Sequence, residues 1–209
     1  ALALVGGLFL DISFGNPQKS KYHYIFQKYY LKKNQNMPKN FSGIWKDWDR
    51  NGNLEISTQL KDGVMHGEQL VWSNGDLTPN YVYKNQFYKN GKLHGKQEYL
   101  RPNGDKISLS IWENGQQNGD HIQYYANNKI KYKEEYKNNK LDGVFIGFYE
   151  NGTKKMEGNF KADKPKGTWC FWSEDGKISS KLNGENNAYE NSTILLLAAK
   201  FKYFESIKN

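Results

Sequence analysis

A period of 24 residues constrains this chain more than anything else in it. Counted from Gly43, Gly67, Gly95, Gly119, Gly143 and Gly167, successive starts lie 24, 28, 24, 24 and 24 residues apart. Five positions after each start stands a large side chain: Trp48, Trp72, Leu100, Tyr124, Phe148 and Trp172. Such self-similarity marks stacked supersecondary units, each too thin to bury its apolar face alone. Eight and nine positions on come Asn51-Gly52, Asn103-Gly104, Asn127-Asn128, Asn151-Gly152 and Asp175-Gly176; Asn74-Gly75 arrives one place early. Asn-Gly between alternating segments signals a hairpin closed by a type I′ turn, which needs φ > 0 at both central residues. A second turn recurs as Lys61-Asp62-Gly63, Glu113-Asn114-Gly115, Lys137-Asn138-Asn139 and Lys161-Ala162-Asp163. The fold class is therefore all-β: an elongated array of about six antiparallel β-hairpin repeats over residues 43–185. At about 10 Å per pair of strands it should run roughly 55–60 Å.

Alternation assigns the faces. Val144, Ile146 and Phe148 point one way and Phe145 the other. The rings five positions after each glycine are expected to form the core. The six glycines are expected to serve folding, by allowing a tight turn or by leaving room for a neighbouring ring. Two positions after the glycine stand Trp45, Phe145 and Trp169, on the opposite face. In a single-layer sheet that face is expected to lie near water and to offer a platform for a partner's side chains or for sugars.

The segment Gly143-Val-Phe-Ile-Gly-Phe-Tyr-Glu-Asn-Gly-Thr-Lys-Lys-Met-Glu-Gly-Asn-Phe resembles the bacterial variant of the MORN repeat. The resemblance extends from Gly43 to about Glu185, some two-thirds of the chain. It implies consecutive MORN-like hairpins and says little of activity. Bacterial proteins of this kind are commonly labelled YwqK-family antitoxins; other MORN proteins are scaffolds or act at membrane lipids. The second unit departs from the pattern at Thr78-Pro79-Asn80 and at Asn85-Gln-Phe-Tyr-Lys-Asn-Gly91. The second of these makes Phe87 and Tyr88 candidate partner-binding residues in an inserted bulge.

The two ends differ from the array. Residues 1–10 read ALALVGGLFL, an apolar run of signal-peptide length, and Ser13-Phe14-Gly15 fits a cleavage site, so residues 1–15 read as an export signal. Residues 16–42 read as a basic aromatic cap. Pro17 to Asn40 holds six lysines and no acid, which is +6 of the net +8. Within it, Lys19 to Lys33 carries Tyr22, Ile25, Phe26, Tyr29 and Tyr30 at helical spacing and could lie on an anionic membrane. Residues 186–209 read as a helix, with Ser192 as its cap and an apolar run from Ile194, which covers the open end of the array or docks into a partner.

Little points to chemistry. Cys170 is the one cysteine, so no intramolecular disulfide can form. His66 and His94 share a repeat position that elsewhere holds Asn118, Asp142 and Lys166, which reads as a polar turn slot and not a metal site. Glu134-Glu135 and Glu174-Asp175 are adjacent on strands and so face apart. The chain has no phosphate-binding loop, nucleophile elbow or H-E-x-x-H zinc motif. Outside residues 17–40 its charge is nearly balanced, which argues against nucleic acid. The expected function is non-enzymatic and cofactor-free: an exported module that binds another protein through one face, in an antitoxin-like or scaffold role. Glycan binding by exposed aromatics and a membrane-apposed scaffold are the alternatives.

Overall fold

The structure is a computed structural model that describes residues 40–49, 51–73, 81–185 and 188–203. The expected export signal and the Lys19–Lys33 segment lie outside the described residues. The chain divides into two compact units, 1–104 and 105–209, parted at the Asn103-Gly104 turn. The first holds β1 (Gly43–Trp48), β2 (Leu54–Lys61), β3 (Val64–Ser73), β4 (Tyr81–Lys89) and β5 (Lys92–Leu100). The second holds β6 (Lys106–Glu113), β7 (Gln116–Tyr124), β8 (Ile130–Lys137), β9 (Lys140–Phe148), β10 (Lys154–Lys161), β11 (Lys164–Trp172), β12 (Ile178–Asn183) and a helix, α1 (Ala188–Tyr203). Within each unit every strand pairs antiparallel with the next in chain order. The all-β repeat architecture is thus present, with a single helix at its C-terminal end among the described residues.

The two turns of each repeat exchange the roles their sequences suggest. At the Asn-Gly turns only the second residue is left-handed: Gly52 (φ 81), Gly104 (86), Asn128 (63), Gly152 (96) and Gly176 (84). Gly52 N donates to Asp49 O at 3.0 Å and Asp49 N to Asn53 O at 2.9 Å. This is the three-residue loop, a type I turn followed by a left-handed bulge residue. The type I′ turns are the other set, with both central residues at positive φ: Asp62-Gly63, Asn90-Gly91, Asn114-Gly115, Asn138-Asn139 and Ala162-Asp163. Asp, Asn and Gly tolerate that geometry; Ala162 at φ 47 is the exception.

The longer second repeat is also explained. From Tyr124 to its cross-strand partner Ile130 is six positions, whereas from Trp72 to Val82 is ten. The four additional residues therefore sit in the connection between β3 and β4. Phe87 and Tyr88, expected in an inserted bulge, instead lie within β4, facing Glu68 and Gly67. A strand cannot absorb four residues without losing register, while a turn can.

Gly67, Gly95, Gly119, Gly143 and Gly167 stand at bulges. Gly143 has φ +138, and a Cβ there would lie 2.8 Å from Glu135 Cβ. The bulge is closed by Glu135, whose Oε2 accepts the Val144 N–H at 3.2 Å; Gln59 Oε1 accepts the Glu68 N–H in the same way at 3.0 Å. Positive φ combined with a close neighbouring strand is what demands glycine here. Room for a ring is supplied by another residue, Gly158, where a Cβ would fall 2.1 Å from the Trp169 indole.

Successive repeats are also stapled at the end that carries the three-residue loops. Tyr125 Oη donates to Phe148 O at 2.7 Å, and one repeat later Tyr149 Oη donates to Trp172 O at 2.8 Å. Asn127 Nδ2 to Glu150 O and Asn151 Nδ2 to Glu174 O repeat the same step. These bonds use side chains at fixed repeat positions to satisfy carbonyls where the ladder has ended.

Candidate functional site

The two faces of the second unit have different fates, and the expectation for them is reversed. Phe145 and Trp169 are both 0% exposed, so neither belongs to a water-facing platform. They form the core with Tyr132, Met156, Phe160 and Phe171 and with Ile194 and Ala198 of α1. Phe145 and Trp169 ring centroids are 5.8 Å apart, and Phe160 stands edge-on to Trp169 at 4.9 Å. Burial of each such ring contributes about 2–3 kcal/mol. The helix contributes to the reversal: it lies against β11 and β12 and closes the inner face there, where a bare sheet would have left it wet. It also begins at Ala188, so Ser192 is inside it and not its cap. Glu190, in its first turn, accepts the Asn183 N–H and so ties the helix to the end of β12.

In the first unit two of the three equivalent inner positions are polar. Trp45 is half-buried, packs edge-on to Phe41 at 5.7 Å and donates from Nε1 to Asp47 Oδ1 at 2.9 Å. The following repeats place Gln69 and Gln97 where Trp45 stands. They join a hydrogen-bonded seam across four strands. Gln97 Nε2 donates to Gln86 Oε1 at 2.9 Å, Gln86 Nε2 to Gln69 Oε1 and to Tyr88 Oη, and Gln69 Nε2 to Thr58 Oγ1 at 2.8 Å. Thr58, Gln86 and Gln97 are buried, and the amides satisfy one another as buried polar groups must. In the sequence this seam leaves one trace, glutamine recurring two positions after Gly67 and Gly95.

The second unit buries an ionisable cluster. His121 on β7 faces Glu134 on β8, and Glu134 faces Phe145 on β9. Glu134 is 2% exposed and accepts a hydrogen bond from Tyr136 Oη at 3.0 Å. Burial, and then the Glu134 charge beside it, pushes the Tyr136 phenol well above its usual pKa. The His121 ring lies 5.8 Å from Tyr132 and 6.3 Å from Tyr136. An acid, an imidazole and a phenol thus come together, with Glu134 closed off from water. Among the described residues no three of His, Cys, Asp and Glu gather in a metal-binding group.

What remains open is the outer face. Tyr124, Phe148 and Trp172, expected as core, are only half-buried there, as is Trp72 in the first unit; Trp48 is nearly closed against Leu54. In the second unit the rings face Ile130, Lys154 and Ile178 across the hairpins. Ile130 is 38% and Ile178 56% exposed. Lysines shade part of the row, with Lys154 Nζ 5.2 Å from the Trp172 ring centroid and Lys155 Nζ 5.0 Å from that of Tyr149. Leu100, the remaining ring-row residue, is half-buried, as are Phe87 and Tyr88.

Residues 117–138, 141–162 and 165–186 match the MORN repeat variant, three segments spaced by 24 residues and covering about a third of the chain. Each matched segment spans two consecutive strands, β7–β8, β9–β10 or β11–β12, and the three-residue loop between them. Comparison with curated proteins finds no match for the chain.

Proposed function

We propose that this chain is a non-enzymatic repeat module that binds another protein through the outer face of its second unit, in an antitoxin-like or scaffold role. One observation carries the reading: α1 consumes the inner face, while Tyr124, Ile130, Phe148, Trp172 and Ile178 stay in reach of solvent on the other. A row of apolar groups left uncovered on a soluble surface marks a contact site. The three MORN-type segments support it, because such repeats generally serve protein or membrane binding. The sealing of Glu134 supports a role without catalysis, and no cofactor enters the reading.

The double variant Ile130→Asp/Ile178→Asp changes side chains already exposed. It is expected to melt with the parent and to lose a protein that the parent chain captures from its own cells and that mass spectrometry identifies. Capture of that protein at unchanged yield would overturn the outer face. Quenching of tryptophan emission by cell-wall fragments, with no protein captured, would move the reading to a glycan ligand. Export is a separate proposal, carried by residues 1–15. Terminal sequencing of the mature chain should find Asn16 first; a mature chain that keeps residues 1–15 removes the argument.

A further inference from the structure

The strand register sets like charges face to face. Across the type I′ turns of the second unit, Lys137 is the cross-strand partner of Lys140, and Lys161 that of Lys164. Opposed like charges destabilise a hairpin. The fold does not need them, since two equivalent pairs are Lys61 with Val64 and Glu113 with Gln116, although Lys89 faces Lys92 in the first unit. All four lysines are exposed. Lys161 binds Asp142 at 3.0 Å, and the other three make no ion pair among the described residues. The second acid nearby, Asp163, accepts the Leu141 N–H on its Oδ1 at 2.8 Å.

The turns that carry these pairs are clamped. Asn139 N donates to Gln117 O at 3.0 Å while its side-chain Oδ1 accepts the Gln117 N–H at 2.7 Å. Asp163 holds Leu141 through the same two bonds, at 2.8 Å each. Each turn is thereby fixed to the hairpin before it. Strand spacing then sets the two lysine pairs about 10 Å apart. A peptide in the extended polyproline II conformation rises about 3.1 Å per residue with three residues per turn, so side chains three residues apart share a face and match that pitch.

We propose that this rim binds an extended acidic peptide segment, with carboxylates seated against the successive lysine pairs. The site is distinct from the outer apolar row and does not rest on it. A flat anionic membrane has no spacing to match, which is why the pitch favours a peptide.

A fluorescently labelled deca-glutamate peptide, followed by anisotropy at low ionic strength, tests it. Lys137→Gln/Lys140→Gln/Lys161→Gln/Lys164→Gln is expected to bind about tenfold more weakly or worse. It should melt close to the parent, since the repulsions removed offset the loss of the exposed Lys161–Asp142 pair. The corresponding four Lys→Arg changes should retain binding. The control Lys96→Gln/Lys129→Gln/Lys177→Gln/Lys181→Gln removes the same charge elsewhere and should stay within about twofold of the parent. Equal losses in the two glutamine variants would overturn the site in favour of general charge. Rim-dependent binding of phosphatidylserine vesicles without binding of deca-glutamate would overturn it in favour of a membrane surface.

Discussion

Trp169→Ala is expected to destabilise the second unit by about 3–5 kcal/mol, the range for removing a fully buried aromatic side chain. The indole is 0% exposed and touches Phe145 and Phe160 directly. It also lies over Gly158, whose missing Cβ makes its space, so the hole left by alanine has a backbone floor that cannot rise to fill it. Denaturant unfolding followed by circular dichroism reads the loss as a lowered midpoint. Trp169→Phe should lose much less, because Trp169 Nε1 has no hydrogen-bond partner and the ring serves as volume. An unchanged midpoint for the alanine variant would mean that α1 does not cover this residue, and the outer and inner faces would have to be exchanged.

Gly143→Val is the second large effect. The substitution forces a β-branched residue to φ +138 and drives its Cβ to 2.8 Å from Glu135 Cβ. Backbone strain of this kind costs about 1–3 kcal/mol, and displacing a strand adds to it. A loss of about 3 kcal/mol or more is expected, again from denaturant midpoints. Gly167→Asn is the internal comparison. Gly167 has φ +62, a conformation asparagine adopts readily, and nothing within 4 Å of a Cβ. It should lose about 1 kcal/mol or less. If both variants melted together, steric closure at the bulge would not be the reason for these glycines.

The period, the hairpins and the importance of the glycines could be read from the residues because they are local. A turn dipeptide and an alternating strand carry their own geometry. The assignment of faces could not be read this way. Alternation correctly put Phe145 and Phe148 on opposite sides, but which side is closed depends on a helix some forty residues further on. Ile194 and Ala198 give no sign in sequence of which ring they will cover. The exchange of turn types has a similar cause. Asn151-Gly152 and Asn138-Asn139 both suit left-handed backbone, and only the ladder beside them decides whether one residue or two must adopt it. The Thr58–Gln97 seam was illegible because glutamine on a strand ordinarily reads as solvent-facing; four strands had to be in register before the amides could meet.

The strict chain-order pairing within each unit bears on how the protein folds. Closing each new strand onto the last takes a loop of only a few residues, so its entropic cost is small. Sheets with long-range pairings fold slowly because that cost falls due before any contact forms. Here the ladder can grow one hairpin at a time, much as a helix propagates. The apolar end, where Phe145, Trp169 and Ile194 meet, is where growth is first rewarded, and it is the last part of the array to leave a ribosome.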